Sequence, residues 1–315
     1  MSTGSIVVVS VFAALNVQAV VDASLRDAYL KGADAKIVYR VVDDEGVPVE
    51  GATAHIWFRT THPKPILHDW TVNTDSNGMF IAAHRTNDRL SCGIDKPGYY
   101  HTFDRVTFSD PRMYPLATGG KWQPYGETKT VVLKKIRNPT KLLCWNRTKD
   151  YKIPAYDTWL AFDFERYQFV APHGEGKDSD VLLRFTLNNP SRKEYHMKME
   201  VSFTNMPYAG ACLMKKDGFS DFKSVYHADT NVHYQQSFTY SFDRDPQKRP
   251  IVAELGEDEY LVFRTRTKVD EKGRLTSANY GVLYGPWCFV GPRGFNIPFI
   301  ALNPTPNDTN LEPKR

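Results

Sequence analysis

The sequence is poor in the features that announce common enzyme classes. It has no H-E-x-x-H, and no H-x-x-E followed by a distant His in a helical context, so the zinc-hydrolase signatures are missing. No G-x-S-x-G marks a nucleophile elbow, and no glycine-rich phosphate loop occurs. Cysteine is sparse. Cys92, Cys144, Cys212 and Cys288 stand far apart without a C-x-x-C, which removes a zinc knuckle and a thioredoxin-type site. An excess of one charge is lacking too. The 40 Lys and Arg and 36 Asp and Glu among 315 residues are well mixed and leave +4, too weak a field for a nucleic-acid footprint. Long apolar runs are missing: Ile6–Leu15, "IVVVSVFAAL", is too short for a bilayer of roughly 30 Å, so no transmembrane segment is expected.

What is present points to strands. Seventeen Tyr and 18 Phe suit pleated surfaces, and 20 Gly with 20 Pro break helices and build turns. The apolar run at residues 6–15 precedes "NVQA", where Val17 and Ala19 fit the small-residue pattern of a cleavage site. Residues 1–19 are read as a signal peptide, although "MSTGS" lacks the usual positive charge, and the protein is expected to be secreted or periplasmic. Export makes the four cysteines disulfide candidates with pairing left open; otherwise Cys92 and Cys212 are buried thiols.

"DASLRDAYLKG" at 22–32 suits a short helix closed by Gly32. Alternation then takes over. "AKIVYRVVD" ends in the turn "DDEG", and "PVEGATAHIWFRT" places Ala52, Ala54, Ile56 and Phe58 on one side. "TDSNG" turns the chain into "MFIAAHRT", with Asn77-Gly78 supplying positive φ. Further on, "HMKMEVSF" alternates Met197, Met199, Val201 and Phe203 with polar residues, and "FRTRTKVDEKGRLTSANYGVLYG" is a long hairpin turning at Asp270–Gly273. The expected fold is all-β: two antiparallel β-sandwich domains over 34–134 and 135–315. Residues 135–155, broken by Pro139 and Pro154, are expected to connect them, and the tail after Pro304 to be irregular.

Three turns agree in order with one family. Val41, Asp43 or Asp44, Gly46, Pro48, Val49, Gly51 and Ala52, then Thr74, Asp75, Gly78 and Phe80, then Ile94, Lys96, Gly98, Tyr99 and Tyr100 resemble a carboxypeptidase regulatory-like domain. The resemblance covers about residues 34–134 and implies a transthyretin-like sandwich. The excursion "THPKPILHDW" departs from the pattern. The second half resembles the C-terminal region of secreted proteins of unassigned function that carry such a module, which implies no activity. A peptidase partner domain is disfavoured, since the zinc motifs and alternating helices are missing.

Candidate chemistry is thin. Glu175, Asp178 and Asp180, near Gly174 and Gly176, offer oxygen donors for calcium, with a solvated acidic turn as the plainer reading. His227, Asp229 and His233 are read as exposed loop residues rather than transition-metal ligands. Asp163 and Glu165 are placed on one strand face, a pair of the kind a glycosidase uses across a substrate but more simply a solvated face. Trp70 and Trp122, in loops rich in Pro, His or Gly, are the candidate platforms for stacking sugars. The expected function is an exported, non-enzymatic protein with a structural or surface-binding role, its partner a glycan or another surface protein. The alternative is a carbohydrate-active or metal-dependent hydrolase with its site in the second domain.

Overall fold

The computed structural model describes residues 25–314 except 62–63, 88, 109–116, 147–149, 189–193, 206, 217–219, 245–250, 253–258, 286, 291–292 and 298. The expected signal peptide, residues 1–19, lies outside them. Among the described residues one short helix, 25–31, accompanies 23 strands, so the fold is all-β. The helix ends where Gly32 N–H donates to the Ala28 carbonyl at 3.0 Å. The chain folds into two compact units. One is Met1–Arg137 with Asp217–Phe222; the other is Asn138–Lys216 with Lys223–Arg315.

The first unit holds β1 (Ala33–Asp43), β2 (Thr53–Thr60), β3 (Ile66–Asn73), β4 (Met79–Thr86), β5 (Arg89–Asp95), β6 (Thr102–Thr107), β7 (Ala117–Thr118), β8 (Lys121–Trp122) and β9 (Glu127–Leu133). One sheet runs β4-β1-β8-β7 with β9 also on β1, and the other β3-β2-β5-β6. β9 pairs with β1 in parallel, so the first sheet is mixed, whereas β3-β2-β5-β6 is antiparallel throughout. Alternation decides what lies inside. Ala33, Ala35, Ile37, Tyr39 and Val41 of β1 join Ala52, Ala54, Ile56 and Phe58 and then Leu90, Cys92 and Ile94 of β5 in one core drawn from both sheets.

The turns rest on aspartates. Asp43 Oδ1 accepts from the N–H groups of Glu45 and Val47, each at 2.9 Å. Asp75 Oδ1 does the same for Asn77 at 2.9 Å and Met79 at 2.7 Å. Gly78 has φ +72°, and a Cβ there would stand 2.3 Å from the Val41 carbonyl oxygen, so both backbone conformation and close approach demand glycine.

The second unit holds β10 (Leu143–Asn146), β11 (Tyr151–Lys152), β12 (Trp159–Asp163), β13 (Gln168–Phe169), β14 (Val181–Asn188), β15 (Tyr195–Phe203), β16 (Gly210–Lys215), β17 (Ser237–Arg244), β18 (Ile251–Val252), β19 (Glu259–Val269), β20 (Leu275–Tyr284), β21 (Cys288–Phe289), β22 (Gly294–Asn296) and β23 (Phe299–Leu302). Its sheets run β10-β23-β20-β19-β16, β13-β12-β14-β15-β17-β18 and β11-β22-β21. Their shared core includes Met197, Met199, Val201 and Phe203 of β15 with Phe162, Phe185, Phe263 and Phe295. The β19–β20 hairpin closes where Gly273 N–H donates to the Asp270 carbonyl at 2.9 Å.

Two expectations need correction. The excursion after residue 61 returns as β3, which pairs along its length with β2, so Trp70 sits in a strand. The stretch 135–155 contains β10 and β11, paired with β23 and β22, because Leu143 and Tyr151 find apolar cover there. The tail after Pro304 carries no named strand, as expected, and is held down: Leu311 and Glu312 are each 1% exposed.

Candidate functional site

The most unusual local structure lies in the second unit. β19 pairs with β20 in register from Tyr260 to Thr265 and then slips, a bulge between Thr265 and Lys268. Within it Arg266 has φ +52°, left-handed backbone that a long side chain rarely adopts. The guanidinium is only 21% exposed. Arg266 Nε and Nη2 donate to the two Asp180 carboxylate oxygens at 3.0 and 3.2 Å, and Nη2 also to Asp163 at 3.1 Å. Nη1 donates to Glu165. Asp178 Oδ2 stands 3.8 Å away. One arginine therefore holds carboxylates from two segments, 163–165 and 178–180.

Both inner carboxylates are buried, Asp180 at 0% and Asp163 at 1% exposure. Burial pushes Asp180 above the ordinary carboxylate range despite Arg266, the Phe164 N–H and the Thr265 hydroxyl. Burial also raises Asp163, but backbone N–H groups of Lys177, Arg166 and Asp178, together with Arg266, outweigh it and hold its carboxyl below the ordinary value. Arg266 loses some basicity to burial and regains more from Asp180 and Glu165, so it stays charged throughout.

Beside this clamp opens a pocket of about 500 Å³, lined by residues that include Asp178, Ser179, Asn205, Arg266, Lys268 and Ser277. Asn205, just beyond β15, has φ +62°, the second left-handed residue of the lining. Ser179 Oγ is buried with no hydrogen-bond partner. The pocket's lining residues carry carboxylate, guanidinium, ammonium, amide and hydroxyl groups, which suits a ligand rich in hydroxyls.

The residues singled out from sequence are placed as follows. Asp178 and Asp180 meet at Arg266, while Glu175 is exposed and has no part in the clamp. A guanidinium thus stands where a cation shared by these carboxylates would sit. Among the described residues no group of three or more His, Cys, Asp or Glu is placed to hold a metal. Asp163 and Glu165 do not share a strand face. β12 ends at Asp163, whose carboxylate caps the next turn by accepting from Glu165 N–H at 2.8 Å. His227, Asp229 and His233 are exposed, and Asp229 Oδ1 accepts from Asn231 N–H at 2.8 Å.

Trp122 is not a sugar platform. It is 0% exposed and its Nε1 donates to the Thr86 carbonyl at 2.7 Å, so the core has taken the indole. Trp70 is half-buried and stacked on Phe58, ring centroids 5.7 Å apart. Cys92, Cys144 and Cys212 are free thiols rather than disulfide partners, and the Cys288 side chain lies outside the described ones. Burial, with Asp104 second, pushes the Cys92 thiol up to about 12. Arg266 is not among the residues the sequence singles out. Its one signal is an arginine in the middle of an alternating strand, "FRTRTKV", where charge breaks the pattern.

A pocket of similar size, about 490 Å³, lies in the first unit among Asp43, Asp44, Asp104, Lys129 and Lys134. Two of its carboxylates are engaged internally: Asp104 takes Lys129 at 2.6 Å and Tyr39 at 2.9 Å, and Asp43 takes Lys135 at 2.7 Å; Asp44 meets Arg137 through Oδ2 while its Oδ1 is buried without a partner.

Fold and site together define an all-β, sandwich-type protein with a polar pocket built on a bulged strand. No family model and no curated protein matches the sequence. Among solved structures, 3-chlorocatechol 1,2-dioxygenase from Rhodococcus opacus 1CP aligns at TM-score 0.26 and 16% identity over 33% of this chain and 61% of its own. Catechol 1,2-dioxygenase from Acinetobacter radioresistens aligns at TM-score 0.27 and 16% identity over 34% of this chain and 53% of its own. A streptococcal ancillary pilin aligns at TM-score 0.22 and 12% identity over 66% of this chain and 58% of its own. The chain thus spans less than two thirds of each, and likenesses this slight carry no argument about what it does.

Proposed function

We propose that the protein is an exported, non-enzymatic β-sandwich protein that binds a polyhydroxylated ligand, a glycan, in the Arg266 pocket. One observation carries the reading: two left-handed non-glycine residues, Arg266 and Asn205, line one pocket together with Ser179, whose hydroxyl is buried without a partner. Strained backbone and orphaned polar groups each cost stability, and they collect where binding needs them. The hydrolase alternative is the weaker reading. A glycosidase needs one carboxylic acid and one carboxylate facing a substrate, whereas here Asp163 and Asp180 are both buried against one guanidinium. Export rests on the apolar run at 6–15, and the first unit is read as a carboxypeptidase regulatory-like module on its three aspartate- and glycine-built turns.

The test is retention of the full chain on immobilised polysaccharides and peptidoglycan, compared with Asn205→Gly and Ser277→Ala. Glycine keeps the left-handed backbone while removing the amide. Retention by the wild type that both variants lose supports the proposal. Equal retention by all three, or retention by none, overturns it. Release of reducing sugar would transfer the site to the hydrolase reading.

A further inference from the structure

We infer that the outer face of the β3-β2-β5-β6 sheet is a further binding site, for an acidic polysaccharide whose sugar rings carry carboxylates. The register defines this face. Trp57 on β2 stands opposite Asp69 on β3 and Ser91 on β5, and Ser91 opposite Arg105 on β6. Two residues along, His55 pairs with Gly93 and Gly93 with Phe103. Side chains alternate along a strand, so these residues point outward while Ile56, Phe58 and Cys92 fill the core. His55, Arg59 and Arg105 are exposed, and Trp57 and Phe103 are half-buried.

The rings on this solvent side are gathered together. Trp57 lies 6.2 Å from His55, planes 18° apart, and 6.5 Å from Phe103. Gly93 makes the room. A Cβ there would stand 3.2 Å from Trp57 Cη2 and 3.0 Å from His101 Cε1, so the indole leans over β5 where a side chain would otherwise rise. An aromatic strip of this kind offers sugar rings an apolar surface. Charge then sets the sign of the ligand. Arg59, the next outward residue on β2 after Trp57, faces Arg89 on β5 rather than a carboxylate. Arg105 is held 5.3 Å from the centre of the Phe103 ring. Among the described residues neither Arg59 nor Arg105 has a carboxylate partner. Of the acids on this face, Asp95 is taken by His101 at 2.8 Å, and Asp69 lies on the far side of Trp57 from Arg105. Two strand intervals, about 10 Å, separate the strands of Trp57 and Arg105. A carboxylated sugar against Trp57 therefore meets one guanidinium along the strand and another across the sheet, and guanidinium forks take carboxylates through paired hydrogen bonds. Single-stranded nucleic acid would ask the same rings for base stacking, but its phosphates need a longer basic track than this face and a net charge of +4 supply.

Oligogalacturonate titrated into the full chain, followed by calorimetry and tryptophan fluorescence, supplies the test. Saturable binding with a change in emission is expected, weakened by added salt. Affinity falls about tenfold or more in Trp57→Ala and in the double variant Arg59→Gln, Arg105→Gln. Neutral maltooligosaccharides, which leave both arginines unpaired, bypass this face and bind equally to the wild type and to these variants. Asn205→Gly keeps the wild-type affinity for oligogalacturonate, so failure of this face and failure of the Arg266 pocket are told apart. The glutamine variant leaves the rings in place and decides the matter should Trp57→Ala misfold. No binding of oligogalacturonate, equal affinity in the wild type and the glutamine variant, or a loss in Asn205→Gly alone overturns the site. Tighter binding of single-stranded oligodeoxythymidine than of oligogalacturonate overturns it as well.

Discussion

A fully buried indole needs apolar contact on its faces and a partner for its N–H. Trp122 has both: Tyr29 meets it edge-on with centroids 5.7 Å apart, Phe108 stacks at 5.8 Å, and the Thr86 carbonyl takes its proton. Truncation to Ala removes the packing and that hydrogen bond. Trp122→Ala should therefore cost about 3–5 kcal/mol, read as a lower urea midpoint at unchanged slope, and Trp122→Phe distinctly less. An Ala variant as stable as the wild type would refute the core assignment. The surrounding "GGKWQP" reads as a loop, but only Gly119 and Gly120 turn the chain, at φ +58° and +74°, and Trp122 itself lies in the short strand β8 paired with β7. Burial of the indole comes from Tyr29, Thr86 and Phe108, and no local pattern reports partners so distant in sequence. Ala52, Ala54, Ile56 and Phe58 were legible because strand alternation is itself local.

At the scale of elements the bulge in β19 matters most. The strand and its hairpin partner could be read from alternation and from the Asp270–Gly273 turn. The slip after Thr265 could not, because register depends on what the partner strand and the carboxylates at the end of β12 and just before β14 demand. Removing the guanidinium as Arg266→Ala leaves Asp163 and Asp180 buried without their cation. A broken buried pair costs about 3–5 kcal/mol near neutral pH. The pH dependence then separates variant from wild type. Asp163 is held below the ordinary carboxylate value in the folded state, so its contribution is full above the unfolded value of about 3.9 and is lost as pH falls through the lower folded one. Asp180, already raised by burial, rises further without Arg266. Its charged form then penalises folding at neutral pH, and protonation relieves that penalty as pH falls. The gap between wild type and variant should therefore narrow from pH 7 to pH 4.5 in guanidinium unfolding curves. A gap of constant size would mean that Arg266 acts through packing alone.

At the scale of the molecule, the first unit is not contiguous in sequence. Asp217–Phe222 belongs to it, although residues 216 and 223 on either side belong to the second. Composition could not reveal this, since "SDF" carries no strand signal and its partners lie far upstream, between Tyr100 and Lys134. The segment docks by backbone and by ring. Ser220 bridges Thr102, and Asp221 N–H donates to the His101 carbonyl at 2.9 Å. Phe222, 1% exposed, lies 5.1 Å from the Tyr100 ring with the Lys134 ammonium 5.1 Å above its own face. A buried lysine needs such company, because an aromatic face offers it partial compensation for lost water. Phe222→Ala removes that face and opens a void beside Tyr100, a loss of about 3–5 kcal/mol for a core phenylalanine. The loss should fall on one unit only. Hydrogen exchange in Phe222→Ala is expected to lose protection across β1, β2 and β6 while β14, β15 and β19 keep theirs. Equal loss in both sets of strands would show that the two cores unfold together and that the segment is no separate lock. Selective loss would mean that the first unit, although its strands are complete by residue 133, reaches full stability only once residue 222 is in place.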